Sequence, residues 1–187
     1  MSERVLEVRN VSKLYGEFRA VEDISFSIPA GVIYGFLGPN GAGKTTTIRM
    51  ILEILQPTEG SIEVFGTNAL AVRDRIGYLP EEKGLYKKMK AWSIIAYFAT
   101  LKGLSRSDAK ERAHELLERY GLKDFADQRT EALSKGMGQK VQVLASIAHD
   151  PDLVILDEPF SGLDPVNQQV MEEIIRDMAD RGKARRE

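Results

Sequence analysis

The sequence contains no cysteine among its 187 residues. Disulfide bonds, thiolate metal sites and cysteine nucleophiles are therefore excluded. Histidine is nearly as scarce, with only two in the chain. We interpret both, His114 and His149, as residues at the surface or boundary of helices, because neither lies where a catalytic histidine is expected.

The chain also lacks a long apolar segment and an excess of charge of either sign. The longest largely apolar run, residues 91–101, is too short to cross a bilayer, and the N-terminus lacks the apolar core of a signal peptide. There are 26 Lys and Arg against 28 Asp and Glu, a net charge of -2. No global field attracts nucleic acid or anionic lipid. We therefore expect no nucleic-acid partner, and membrane contact only through another chain.

Hydropathy patterns predict the strands and helices. Alternating apolar and polar residues predict one strand near the N-terminus, one or two more before Gly31, and short strands at residues 61–66 and 75–80. Continuous apolar runs at residues 32–37 and 153–156 are typical of strands buried on both faces. From residue 83 to 149 the apolar spacing is helical, with Ser105 as a candidate cap and Gly121 as a stop.

A glycine-rich segment, GPNGAGKT, follows the apolar run 32–37 directly. It matches the P-loop pattern, and the predicted strand before it and helix after it are the required context. Backbone N–H groups and a helix N-terminus would bind phosphate there. Lys44 would supply a cation to the β- and γ-phosphates and the Thr45 hydroxyl would ligate Mg²⁺, whereas the alternative is a glycine-rich turn without a ligand. The predicted phosphate-binding residues are Gly38, Pro39, Asn40, Gly41, Ala42, Gly43, Lys44, Thr45 and Thr46.

Two carboxylates follow the second apolar run. Asp157 comes directly after residues 153–156, as expected of a Walker B aspartate that holds Mg²⁺. Glu158 would then lie beside the γ-phosphate and polarise the attacking water as a general base. The alternative for this pair and Pro159 is a solvated turn after a strand.

The motifs predict an α/β fold in one domain, with a P-loop NTPase core of the RecA-like type. We expect an antiparallel β lobe at residues 1–31, a core at 32–82 and 150–182, and a helical subdomain at 83–149. A helix is predicted from Lys44 to about Leu55, and another from Asp164 to about Gly182.

GTPases share the P-loop and have to be considered. Their guanine recognition uses an Asn/Thr-Lys-x-Asp element. None of the four asparagines precedes a lysine, and the chain contains no Thr-Lys pair. An Asp-x-x-Gly pattern at Asp74 is weak on its own, so the sequence disfavours a GTPase.

The order of these motifs resembles the ATP-binding subunit of an ABC transporter. Residues 133–137, LSKGM, occupy the position of that family's signature, usually Leu-Ser-Gly-Gly-Gln. Ser134 and Gly136 are kept, whereas Lys135 and Met137 replace the first glycine and the glutamine. The resemblance implies that this segment contacts the γ-phosphate of ATP bound to a second subunit.

Three more site residues follow from the resemblance. Tyr15 matches the aromatic residue that stacks on adenine, and the alternative is a half-buried tyrosine in a strand. Asp164, in SGLD, matches the D-loop that faces the partner subunit, and it also fits a helix cap. Glu81 replaces the family's Q-loop glutamine and could still reach Mg²⁺ or its water.

The resemblance implies an ATP-binding and hydrolysing motor subunit of an exporter, with ATP and Mg²⁺ at a head-to-tail dimer interface. The implied partners are a membrane-spanning transporter subunit and a second ATP-binding subunit, with the chain peripheral at the cytoplasmic face of the membrane. Residues 81–89 and 92–103 resemble the drug- and sodium-exporting branch, and the resemblance implies that this region contacts the membrane subunit. The alternative for Lys83, Lys87, Lys88 and Lys90 is a solvated basic face.

The resemblance ends after Gly182, where the family continues with a core strand and a switch histidine. We expect that strand to lie between the strands of the P-loop and of Asp157, so the sequence is interpreted as a fragment or a truncated product with its last core strands missing. One rival function is therefore a catalytically inactive nucleotide-binding module. The other is a soluble ABC ATPase acting on ribosomes or DNA, although such proteins usually carry two cassettes or long coiled-coil insertions.

Overall fold

The computed structural model describes residues 4–81, 86 and 88–184, so Lys83 and Lys87 of the predicted basic face lie outside the described residues. Two compact units are present. The first comprises the described residues up to Arg73 and the end of the last helix from Ala179, and the second runs from Asp74 to Met178.

The strands are β1 (Arg4–Tyr15), β2 (Phe18–Pro29), β3 (Glu59–Val64), β4 (Ile76–Leu79) and β5 (Leu153–Leu156). The α-helices are α1 (Lys44–Ile51), α2 (Ala91–Leu101), α3 (Arg106–Arg119), α4 (Lys135–Ile147) and α5 (Pro165–Ala184).

The first unit contains an antiparallel sheet with the strand order β2-β1-β3. β1 lies in the middle, where Val8 pairs with Phe26 of β2 and with Ile62 of β3. Val8 and Val64 are buried, as the alternating pattern requires of one face of a half-buried sheet. β1 and β2 fall within the range predicted for the antiparallel β lobe, whereas β3 comes from the range predicted as core, and β2 is one continuous strand.

The second unit contains the larger hydrophobic core. Helices α2, α3 and α4 pack against one another, and α4 also contacts β4. β4 and β5 pair in parallel, with Leu79 opposite Leu156. The helical insertion is thus confirmed. The core side chains that are almost completely buried include Ile94, Ile95, Leu116, Leu117 and Leu144.

The ends of the helices follow their local sequence. The Ser105 hydroxyl accepts a hydrogen bond from the backbone N–H of Asp108 and so caps α3, and Gly121 takes φ +74° just beyond its end, as expected. α1 is shorter than predicted because Glu53 adopts φ +54°, a backbone conformation that is incompatible with a right-handed α-helix. None of the described helices is long and apolar enough to cross a membrane.

The prediction for residues 32–37 is wrong. This segment is not a strand, and its apolar side chains are exposed, with Leu37 at 93%. Tyr34 and Phe36 contact the ring of Phe26, each at 5.7 Å between centroids. An apolar run becomes a buried strand only when neighbouring strands bond its backbone, and no described strand pairs with it. For the same reason β5 is only half-buried, since β4 is its one partner among the described strands.

The only tryptophan of the chain, Trp92, joins α2 to α3 and to the loop before α4. Its ring stacks on His114 at 5.6 Å between centroids, and the Lys110 ammonium lies 5.3 Å from the ring centre. The Trp92 Nε1–H donates to Asp127 at 3.3 Å, and Lys90 donates to the same carboxylate oxygen at 2.8 Å. These contacts fix the orientation of α2 within the helical part of the second unit.

His149 follows α4 and packs against the start of β4. Its Nε2 lies 3.2 Å from the carbonyl oxygen of Ile76, and that carbonyl also accepts a hydrogen bond from Lys102 at 2.9 Å. Its Nδ1 is buried and has no hydrogen-bond partner in the part of the chain that the structure describes. Burial, helped by the nearby Lys102 charge, lowers the pKa of His149, against smaller opposite effects of the Ile76 carbonyl and Asp74. The folded protein therefore holds this imidazole in its neutral form.

We predict that His149 destabilises the fold in mild acid. Its folded-state pKa lies below the unfolded value of about 6.5, so the unfolded chain binds the proton more readily once the pH falls through that value. The urea midpoint of the wild type, followed by circular dichroism, is expected to fall more steeply between pH 7 and pH 5 than that of His149→Gln. The glutamine keeps a donor for Ile76 and cannot titrate. Parallel pH profiles for the two proteins would contradict this assignment.

Candidate functional site

The P-loop of the first unit connects the exposed segment after β2 to the start of α1. Gly41 and Gly43 both take φ +82°, a conformation that L side chains rarely adopt. A Cβ at Gly43 would also lie 2.5 Å from the carbonyl oxygen of Ala20. No side chain of the described residues caps α1, and its first turn contains no acidic residue. The helix N-terminus is thus open to an anion.

Lys44 is the side-chain cation of this loop. Its ammonium donates to the carbonyl oxygens of Gly38 at 2.7 Å and Pro39 at 3.1 Å. The residues from Gly38 to Ala42 are exposed, whereas Lys44 is partly buried. The lysine therefore lies against the same loop that would surround a bound phosphate, and its positive charge would help to hold that phosphate.

Asp157 continues the β4–β5 ladder by one hydrogen bond, from its N–H to the carbonyl of Leu79 at 2.9 Å. The residue is only 4% exposed, and its Oδ2 atom has no hydrogen-bond partner among the described residues. A buried carboxylate oxygen without a donor is costly, by about 1–3 kcal/mol or more. Such an orphan oxygen is explained when an ion belongs beside it.

The parallel register brings other carboxylates to the same edge of this sheet. Leu79 and Leu156 are paired, so Glu81 and Glu158 each follow the carboxyl end of a strand by two residues. Both are exposed. Glu158 adopts φ +51°, a strained conformation for a residue other than glycine. Strain of this kind is concentrated at functional sites.

The side chains at this edge of the sheet offer few protein ligands to Mg²⁺. Within the described ranges, no three His, Asp or Glu side chains converge on a point that could hold a metal. Mg²⁺ in nucleotide sites is usually held by one or two carboxylates together with substrate phosphates and water. A single buried, unpartnered carboxylate oxygen on Asp157 fits that mode of binding.

The signature segment begins α4. The Ser134 hydroxyl is exposed and accepts a hydrogen bond from the backbone N–H of Met137 at 3.3 Å. Ser134 is thus the N-terminal cap of α4. A cap of this kind leaves other N–H groups of the first turn unpaired, which is compatible with an anion at the same place.

Asp164 caps α5 with both carboxylate oxygens. Asn167 donates its backbone N–H to Oδ1 at 2.9 Å and its side-chain amide to Oδ2 at 2.6 Å. These two hydrogen bonds, the backbone one first, hold the pKa of Asp164 below its ordinary value. The predicted cap is confirmed, whereas the predicted contact of Asp164 with a second subunit stays a prediction.

A family model described as ABC transporter matches residues 21–161, well over half of the chain. The chain belongs to the ABC transporter family. Its P-loop, the start of α4 and the carboxylates after β5 all lie within or at the edges of the matched region.

Known ABC proteins match almost the whole chain. The protein described as "Uncharacterized ABC transporter ATP-binding protein YhaQ", from Bacillus subtilis (strain 168), is 44% identical over 95% of the chain and 60% of its own length. "Nod factor export ATP-binding protein I", from Burkholderia orbicola (strain AU 1054), is 37% identical over 98% of the chain and 62% of its own length. The chain thus spans less than two thirds of these relatives.

A solved structure described as "Structure of ATP binding subunit of ABC transporter" superimposes with a TM-score of 0.84. It is 31% identical and covers 95% of the chain and 76% of the solved protein. The predicted α/β P-loop fold class is thereby confirmed. The individual site residues inferred from the resemblance remain predictions about this ABC protein.

Tyr15 is the last residue of β1 and is 50% exposed, with the Lys13 ammonium 5.4 Å from its ring centre. Its exposed ring is compatible with stacking on a base.

The sequence analysis missed Gln139 and Asn167, which contact the segment after Asp157. Asn167 carried a weak signal, since an amide three residues after a capping aspartate can bond back to it.

We predict that Lys44→Ala weakens Mg-ATP binding by about tenfold or more, a loss of about 1.4 kcal/mol. Lys44 is the one side-chain cation within GPNGAGKT, so no other group of the loop replaces its charge. The matched control is Arg49→Ala, which removes an exposed cation from the last turn of the same helix. Calorimetric titration of the three proteins measures the effect. Equal affinities in wild type and Lys44→Ala would reject the P-loop assignment.

Proposed function

We propose that this chain binds Mg-ATP and hydrolyses it as the motor subunit of an ABC-type exporter. The observation that carries the proposal is the buried Asp157 oxygen at the carboxyl end of β5, which no described residue contacts with a hydrogen bond. Ligands of open α/β sheets bind outside the carboxyl ends of the strands. The uncapped start of α1 and its lysine add a phosphate site of opposite charge.

In the proposed reaction, the residues of the P-loop and the carboxylates that follow β5 have separate tasks. The N-terminus of α1 and Lys44 bind the phosphates, and Tyr15 stacks on the adenine ring. Thr45 and Asp157 would hold Mg²⁺, with Glu81 near it or its water. When bound, the ion neutralises charge that develops on the phosphate oxygens.

Glu158 is the proposed general base. Its exposed carboxylate accepts a proton from a water molecule as the water oxygen forms a bond to the γ-phosphorus. The bond between that phosphorus and the bridging oxygen breaks, giving ADP and phosphate. The chain itself thus supplies the group that takes the proton.

The second ATP-binding subunit is proposed from the signature segment. Ser134 is exposed at the start of α4, and the first turn of that helix contains no acidic residue. Head-to-tail pairing of two such chains would place Ser134, Gly136 and Asp164 against the nucleotide held by the partner's P-loop. In this arrangement the start of α1 would bind the phosphates of its own nucleotide, and the start of α4 would bind those of the partner's.

A membrane-spanning subunit is the other proposed partner, with the chain peripheral at the cytoplasmic face. An exposed aromatic face supports this: Tyr86, Tyr97, Phe98 and Leu101 are between 38% and 62% exposed. Tyr97 makes edge-on contacts with both Tyr86 and Phe98. The Burkholderia relative is described as an export ATP-binding protein and the solved structure as an ATP-binding subunit, and both descriptions support an exporter assembly for this chain.

The decisive experiment traps the dimer. Glu158→Gln keeps the shape of the side chain and removes the base, so it is expected to bind ATP, hydrolyse it very slowly and dimerise. Light scattering with and without Mg-ATP measures the assembly, and phosphate release measures turnover. Full hydrolysis by Glu158→Gln would reject the assigned base, and the absence of ATP-dependent dimers would reject the dimer.

In the Glu158→Gln background, Ser134→Arg is expected to weaken ATP-dependent dimerisation by about tenfold or more. ATP binding to the monomer is expected to stay unchanged, because the serine serves the partner's nucleotide. Ser105→Arg is the matched control, since it removes the serine cap of α3 in the same unit. If Ser134→Arg no longer binds ATP as a monomer, the serine does not act on a second subunit. If Ser134→Arg and Ser105→Arg weaken dimerisation equally, the effect comes from the loss of a helix cap and not from a lost contact with the partner's nucleotide.

A further inference from the structure

Gly136 in the first turn of α4 faces the side chain of Asn167 in α5. A Cβ added at Gly136 would lie 2.5 Å from Cγ and 2.8 Å from Oδ1 of Asn167, and would also overlap Nδ2. Asn167 has little freedom to move aside because Asp164 holds both its backbone N–H and its amide. A glycine at position 136 is therefore required by a contact inside the same chain, independently of any phosphate.

Two further contacts hold these segments together. The Gln139 amide donates to the carbonyl oxygen of Pro159, and Gln139 is only 2% exposed. The Lys135 side chain lies over Gly162, with Cε 3.0 Å from a Cβ built there and Nζ closer. Gly162 also takes φ +69°, a conformation that L side chains rarely adopt. The first turns of α4 thus contact the loop after Asp157 through Gln139 and Lys135, and α5 through Gly136.

We propose that Asn167 is a positioning residue that sets the start of α4 against the loop containing Asp164. This inference rests on the proposed function, in which Ser134 and Asp164 both serve the nucleotide of a second copy of this chain. Asn167 touches both segments: it contacts Gly136, two residues after Ser134, and it is bonded to Asp164 itself. A shift of the start of α4 therefore also moves the loop containing Asp164, and the reverse holds as well. Ser134 and Asp164 thus approach the partner's nucleotide together.

The test is a double-mutant cycle in the Glu158→Gln protein, with Asn167→Ala, Gly136→Ala and the pair. Asn167→Ala is expected to weaken ATP-dependent dimerisation by about tenfold while ATP affinity of the monomer stays unchanged. Gly136→Ala is expected to weaken it further through the clash. Alanine is the better helix former, so this loss does not come from helix propensity. The pair is expected to dimerise better than Gly136→Ala alone, because the clashing amide is gone.

The matched control is Asn68→Ala, which removes an asparagine that accepts a backbone hydrogen bond from Ala71 in the first unit. Its dimerisation is expected to equal that of the parent. Normal dimerisation of Asn167→Ala, or additive losses in the pair, would overturn the inference. So would a parallel loss of melting temperature and monomer ATP affinity in Asn167→Ala, which indicates a general role in stability. If the parent itself forms no ATP-dependent dimer, the proposed function fails and this inference with it.

Discussion

The parallel pairing of β4 with β5 determines where the chemistry of this chain is concentrated. Because Leu79 is paired with Leu156, the two strands end together, and their carboxyl ends present Glu81, Asp157 and Glu158 at one edge. α4 packs on β4, so the signature segment belongs to the same compact unit as these carboxylates. A change in this register by one residue would exchange the buried Asp157 for its exposed neighbour and remove the orphan oxygen.

Much of this arrangement could be predicted from the sequence, since it depends on local patterns. The P-loop needs glycines at positions of positive φ, and Gly41 and Gly43 have them. The capping side chains of Ser105 and Asp164 each accept a hydrogen bond from the residue three positions later in the chain, and both caps were predicted. Helical spacing likewise identified the insertion, whose buried side chains belong to contiguous periodic segments.

The failures concern features that depend on distant parts of the chain. The run at residues 32–37 has the composition of a buried strand, yet a strand is a property of at least two segments, and no described one pairs with it. The contact of Gly136 with Asn167 joins positions on two helices, so no local spacing indicates it. The buried, unpartnered oxygen of Asp157 likewise becomes visible only when its neighbours are in place.

The position of Trp92 has a spectroscopic consequence. It is the single indole of the chain and lies in the second unit, against His114, Lys110 and Asp127, while the first unit contains tyrosine and phenylalanine but no tryptophan. Intrinsic fluorescence excited at the red edge of the absorption band therefore reports only on the helical half of the protein. Comparing the emission of this indole with circular dichroism, which sums over the whole chain, therefore shows whether the second unit unfolds together with the rest of the protein, without any extrinsic label.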